Sequence, residues 1–417
     1  MLQILRTGDW ITSNRARVYA AMIATIGIAG LVYNWTTGGS LTDNLGRPIG
    51  TDFAGMWTAG RMLLEGNPYG LFDPDQHFAY QRAFFGNPGI DVYGWHYPPF
   101  FLAIAALIAS LPYIPALFAW QASTFAFYLS AMRAISPPDQ SLLFVAVGFP
   151  AVFVTLGHGH NAFLSAGLLG FGLFFLHRRP LLAGVLIGLL AYKPQFALIL
   201  PVVLLLGGHW RATAAAALTV LAMAAAVTLW LGPGVWTAFM EGAKFTKTVI
   251  LEQGVTGWHK IQSTFSALRS FDVGIEAAYL GQAIITLTVM ATLSLVVWRK
   301  SDSRVVAALA ATGALLATPY CLDYDMTILG VAIAYAATHG AERGFAPWEK
   351  TLLALAWTTP LFARVVMQWT HIPLGVLSTV ALFGLLSLRC LREQLKPARS
   401  RRMQSCSDAD GDRAILR

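Results

Sequence analysis

The sequence predicts an all-α polytopic membrane protein with about twelve transmembrane helices, and three observations predict it. Of its 417 residues 56% are hydrophobic and only 12% charged. The mean hydropathy is +0.57, a balance that soluble domains rarely carry. Apolar runs of roughly 14–24 residues recur along the chain, near the length a helix needs to cross a bilayer. Basic residues gather at the ends of those runs, as they do beside cytoplasmic connections. The formal net charge of +8 therefore reads as topology and not as affinity for nucleic acid. Cys321, Cys390 and Cys406 lie too far apart for a disulfide framework or a zinc site.

The first run, "VYAAMIATIGIAGLVYNW" at 18–35, ends without a small-residue cleavage motif and reads as a retained span. Further spans are expected at 113–133, 141–156, 161–177, 212–231, 275–298, 304–318, 325–338, 350–367 and 372–390. Two segments admit two readings each. "PPFFLAIAALIAS" at 98–110 would reach only about 20 Å at ~1.5 Å per residue, short of a ~30 Å core. The stretch 180–206 is either one kinked helix or two short helices meeting at Lys193-Pro194-Gln195.

The positive-inside rule decides both. With 98–110 a half-helix dipping in from the outer face and 180–206 a hairpin, 20 of the 29 Lys and Arg share the side of the N-terminus. Seven of the other nine fall in two long loops, where the rule has little force. Making 98–110 a full span exports Arg133 and the "HRR" at 177–179, and making 180–206 one span inverts everything after it. The expected organisation is one integral-membrane domain over 1–392 with both termini cytoplasmic. A first outer loop at 36–112 carries re-entrant or juxtamembrane helices, a second lies at 232–274, and a disordered cytoplasmic tail covers 393–417.

That topology sends the polar residues outside the tail to one face. Asp52 in "TDFAGMW" starts a helical pattern, so capping that helix is one reading of it. Lys193 sits between spans so short that it lines a cavity rather than snorkelling. His158 and His160 make an H-x-H pair on a turn; without a third ligand this is unspecific for metal and equally a solvated turn. Asp323 and Asp325 flank Tyr324 before a span, where one carboxylate suffices for a cap. Arg364 lies inside an apolar run, where an unpaired charge costs roughly 2.5–3.5 kcal/mol, so a carboxylate or anionic ligand is implied. Carboxylates, imidazoles and aromatic rings suit a sugar, and a cation at the hydrocarbon edge suits a lipid phosphate. The candidate substrate contacts are Trp57, Arg61, Tyr69, His96, Tyr97, His158, His160, Asn161, Lys193, Gln195, His259, Tyr320, Asp323, Asp325 and Arg364, with no metal and no cofactor called for. No Walker loop and no GxGxxG is present. An outer-face transferase would therefore need a lipid-carried donor.

"DFAGMWTAGRMLLEGNPYGLFDP", "WHYPPFFLAI", "GHGHNAFLSAGLLG" and "RPLLAGVLIGLLAYKPQFALILP", in that order, resemble glycosyltransferase family 87. These are integral-membrane enzymes of the GT-C superfamily, many of them α-mannosyltransferases dependent on polyprenyl-phosphate mannose. The resemblance covers roughly residues 50–330. It implies a GT-C-type bundle in a bacterial inner membrane with its site facing the periplasm or cell exterior. It further implies a polyprenyl-phosphate-sugar donor and a lipid or glycan acceptor, with Asp52 as catalytic base and Lys193 near the donor phosphate. The chain departs from the family in two places. Gly159-His160-Asn161 stands where a Gly-Gln-Asn-like turn is expected. Thr318-Pro319-Tyr320 and Asp323-Tyr324-Asp325 stand where members carry a Ser-Pro and paired-His loop. Sugar and acceptor stay open on that account. A transporter or flippase of lipid-linked saccharides is the alternative; it should show mid-span polar groups and two related halves, whereas here the polar residues share one face and no repeat is visible.

Overall fold

Apolar runs without β-branched alternation fold as helices, and the computed structural model describes residues 2–136 and 141–393 accordingly. Among them no strand forms; two isolated bridges, Thr42–Pro48 and Ile261–Leu322, are the only β pairings. The tail expected at 393–417 lies outside the described residues except for Glu393. Among the described residues four helices are long and apolar enough to cross a membrane: Ser13–Thr36, Trp210–Leu231, Ile275–Trp298 and Leu374–Glu393. Shorter apolar helices fill the space between them, among them Ala162–Phe175, Pro180–Tyr192, Pro194–Leu206 and Ser303–Leu316.

Proline and glycine decide where helices break. Ser141–Val147 and Pro150–His158 are separated at Gly148, where a Cβ would lie 2.3 Å from the Ala20 carbonyl oxygen. Pro150 has no N–H to continue the earlier helix. Between 180 and 206 the break falls at Lys193, which proline at 194 pushes out of the helical region to φ −125°, ψ 74°. A Cβ on Gly184 would meet Ala212, and one on Gly188 would meet Ala216 and Thr219. Contacts that advance together along both helices mean that Pro180–Leu189 and Trp210–Leu231 run parallel. The chain must therefore reverse twice between them, and Lys193-Pro194 and Gly207-Gly208 supply the breaks.

The segment 98–110 forms a short turn, Pro99–Phe101, and the eight-residue helix Leu102–Ala109. It lies across Thr51–Leu64 at Gly60, where a Cβ would stand 2.1 Å from the Ala105 carbonyl oxygen. The indole of Trp57 donates to the Leu111 carbonyl at 3.1 Å and fastens the crossing. At the centre of the bundle, Thr327–Arg343 is buried from Thr327 through Ala336. Its N-terminus is preceded by the turn Asp323–Met326, so the central helix presents two carboxylates at one end of the bundle. The 232–274 segment is stitched to the same place: the Gln262 N–H donates to the Cys321 carbonyl at 2.6 Å beside the Ile261–Leu322 bridge.

Candidate active site

Two left-handed glycines create the site's first contact. Gly50, at φ 71°, caps the helix Thr51–Leu64, and no side chain does so. Asp52 is therefore a first-turn residue and not the cap that one sequence reading allowed, leaving its carboxylate available. Gly159, at φ 62°, ends the helix Pro150–His158. A Cβ there would lie 2.6 Å from Phe53 Cβ, 2.8 Å from Leu117 Cδ1 and 3.3 Å from Gly50 Cα, so the two turns pack closely against each other and against Leu117. His158 is thereby delivered to the start of the Asp52 helix.

The Asp52 carboxylate lies 3.1 Å from His158 Nδ1, with the Thr51 hydroxyl 2.7 Å from the same nitrogen. The other ring nitrogen, Nε2, lies 3.4 Å from Nη2 of Arg364. A guanidinium can only donate, so Nε2 accepts and the proton sits on Nδ1, facing the carboxylate. Arg364 in turn pairs with Asp323 at 2.7 Å, while its buried Nε has no partner. The series Asp52–His158–Arg364–Asp323 thus joins four elements distant in sequence.

A second series runs beside it. Lys193 donates to Asp325 at 2.6 Å, the two side chains being 4% and 2% exposed. Asp325 also accepts from the Leu322 N–H at 3.1 Å, which holds the turn. The Tyr324 ring stacks on His160 with centroids 3.5 Å apart, and the Lys193 ammonium lies 5.6 Å from the Tyr324 ring centroid. Tyr97 Oη is 2.9 Å from His160 Nε2. Burial, with the Lys193 charge adding to it, drives the His160 pKa well below the usual imidazole value. The His160 Nδ1 and the Asn161 side-chain oxygen are buried and have no hydrogen-bond partner among the described residues.

His96 bonds Thr246 at 2.7 Å, and burial pushes it down to about 4 although the Asp52 charge acts in the opposite sense. Burial also lowers the pKa of His259 and Lys260. For both, Arg364 repels the added charge and Asp323 attracts it; Asp52 also attracts it at Lys260. Tyr320 belongs to the same neighbourhood, its phenol pKa raised by burial and then by Asp52 and Asp325.

Three candidates are employed elsewhere, and a fourth is unpaired among the described residues. Trp57 braces the 98–110 crossing and packs on Phe84 and Tyr113. Arg61 pairs with Glu65 at 2.8 Å one turn on. Tyr69 donates to the Leu231 carbonyl at 2.7 Å, tying the two long loops together. Gln195 is half-buried and makes no hydrogen bond among the described residues. Sequence reading passed over Lys260 and Thr51; only their adjacency to His259 and Asp52 could have pointed to them. Among the described residues no three His, Cys, Asp or Glu are grouped to hold a metal.

The three carboxylates differ in what they are free to do. Asp325 is spent on Lys193 and Asp323 on Arg364, both carboxylates buried, whereas the Asp52 side chain is 26% exposed and lies against the His158 ring. Of these three, only Asp52 is not paired with a lysine or arginine among the described residues.

A family model for glycosyltransferase family 87 matches residues 95–319, which is 225 of the 417 residues. No curated protein and no solved structure matches the chain. The matched segment contains His96, Tyr97, His158, His160, Asn161, Lys193 and His259, while Asp52, Asp323, Asp325 and Arg364 flank it. With apolar helices long enough to cross a membrane and more than half the chain matched, this protein belongs to glycosyltransferase family 87.

Proposed function

We propose that the chain transfers a hexose, mannose being the first candidate, from a polyprenyl-phosphate donor to a hydroxyl of a lipid or glycan acceptor, with inversion at the anomeric carbon. The observation that carries this reading is the part-exposed Asp52 carboxylate beside two buried carboxylates that are each paired with a cation. The acceptor oxygen attacks the anomeric carbon and its proton passes to Asp52. The bond from that carbon to the phosphate oxygen breaks on the opposite face, and the electron pair leaves with polyprenyl phosphate.

Each neighbour has a part in this scheme. His158, protonated at Nδ1, orients Asp52. Arg364, with an unpartnered Nε, and Lys260 supply positive charge for the leaving phosphate. Lys193 acts from beneath; with Asp325 on it, its charge mainly holds the Asp323–Tyr324–Asp325 turn and adds to the field at the phosphate. The part-exposed rings of His96, Tyr97 and Tyr320 form the surface offered to sugar hydroxyls, with the buried His160 bonded to Tyr97.

Twelve membrane helices with both termini in the cytoplasm would place this cluster at the outer face of a bacterial inner membrane. The support is the basic-residue count together with the parallel course of Pro180–Leu189 and Trp210–Leu231. Nucleotide sugars do not reach that face, whereas lipid-carried sugars do. The direct test is incubation of the purified protein with polyprenyl-phosphate mannose and an envelope lipid extract. Transfer with inverted anomeric configuration, read by NMR of the product, is expected. Hydrolysis alone, or product of retained configuration, would contradict the reading.

A further inference from the structure

The first long helix is lightly packed. Of Ser13–Thr36 only Ala20 is buried; it meets the 148–157 segment at Ala20–Gly148, Gly27–Phe153 and Leu31–Gly157, and near its end Trp35 packs on Phe118 and the Asn34 carbonyl accepts from the Asn44 N–H. Toward Glu349–Thr370 it leaves a cavity of about 650 Å³ instead of a packed interface. The walls of that cavity are apolar, with Ile23, Ile26, Leu353 and Trp357 among them. Its mouth is basic, lined by Arg15 and Lys350 with the hydroxyls of Thr12 and Ser13.

The mouth is a built feature. The N-terminal segment docks on the start of Glu349–Thr370 through Trp348 N–H to the Arg6 carbonyl at 2.7 Å, Thr351 Oγ1 to the Leu5 carbonyl at 2.6 Å, and Trp10 Nε1 to Thr351 Oγ1 at 3.3 Å. Arg15 is steadied by its bond to the Trp10 carbonyl at 3.0 Å, and the Lys350 ammonium stands 5.2 Å over the Phe345 ring. This mouth is far from the Asp52 cluster. Along their shared helix, Arg364 and Lys350 are separated by about 21 Å at ~1.5 Å per residue.

We propose that this groove binds one anionic glycerophospholipid, its phosphate on Arg15 and Lys350 and an acyl chain along the apolar wall, bridging the first helix to the bundle. The occupant follows from the groove's own polarity. A long apolar trough ending in two cations and hydroxyl donors complements an amphiphile with a negative head, and basic pockets between membrane helices attract such heads. A zwitterionic lipid would fill the trough equally but gain less at the mouth.

The test is native mass spectrometry of the full chain from nanodiscs holding equal phosphatidylglycerol and phosphatidylcholine of matched chains. One phosphatidylglycerol per chain should be retained in clear preference to phosphatidylcholine. Arg15→Gln with Lys350→Gln should weaken that retention roughly 30-fold and leave phosphatidylcholine unchanged. Ala354→Trp fills the trough with both cations kept, and should expel either lipid. Equal retention of the two lipids, undiminished phosphatidylglycerol in either variant, or a polyprenyl phosphate or a protein in the lipid's place would each overturn the proposal. If the double variant does not fold, Ala354→Trp alone decides.

Discussion

The Asp52 carboxylate and the His158 ring meet at 3.1 Å because two positive-φ glycines, Gly50 and Gly159, pack their turns together. The contact fixes the carboxylate: the His158 Nδ1–H donates a hydrogen bond to Asp52, and Nε2 accepts from Arg364. A positioned, ionised carboxylate is what a general base requires.

Loss of the His158 donor should therefore lower turnover more than donor binding. His158→Phe keeps a ring against Tyr324 and removes Nδ1; a charge-assisted bond of this kind is worth about 1.5–3 kcal/mol, or roughly ten- to hundred-fold in kcat. His158→Gln, which can still donate to Asp52, should recover part of it. Equal kcat in the wild type and His158→Phe would show that the bond does not orient the base.

Arg364→Ala removes the cation proposed to face the donor phosphate and strands Asp323. It should raise the donor KM with a smaller change in acceptor KM, and Lys260→Ala should do the same more mildly. Steady-state kinetics varying each substrate in turn checks this. A donor KM untouched by both substitutions would move the phosphate away from this cluster.

Breaking the Lys193–Asp325 pair from one side leaves a buried charge alone, at a cost of about 3–5 kcal/mol. Lys193→Met should lower the melting temperature in detergent substantially, and adding Asp325→Asn should restore much of it. If the single and double variants melt alike, the pair is not holding the turn.

Much of this arrangement was legible in the sequence, and the rest was not, for physical reasons. Composition and Pro194 pointed to the helices and to the break at Lys193, because desolvated backbone leaves few options and proline removes a donor. Arg364 announced a partner because an isolated charge in an apolar run is costly. Which partner it takes depends on how the turn at 323–326 approaches the helix Glu349–Thr370, and no local pattern encodes that. Trp57 and Tyr69 looked like sugar platforms because aromatic rings at a membrane boundary serve packing and binding equally well; their hydrogen bonds to Leu111 and Leu231 put them to packing. Gly50 as the helix cap is visible only once its φ is known.

Acid should destabilise the protein through His96. Burial holds its folded pKa at about 4, below the ordinary value near 6.5, so the unfolded chain binds the extra proton first. Stability contributed by this group is intact above about pH 6.5 and declines as pH falls toward 4. Melting temperatures measured between those limits should drop in the wild type and drop less in His96→Gln. Parallel curves for the two proteins would remove His96 from the acid response.

The most direct test is the turnover of Asp52→Asn. Asparagine keeps the size of the side chain and can still bond His158, but it cannot take a proton from the acceptor hydroxyl. General-base catalysis contributes about 10²–10⁴-fold, so the folded, membrane-inserted variant should bind the polyprenyl-phosphate donor normally and lose at least about two orders of magnitude in kcat. Turnover within a few-fold of wild type, with donor binding intact, would contradict the assignment of Asp52 as the base.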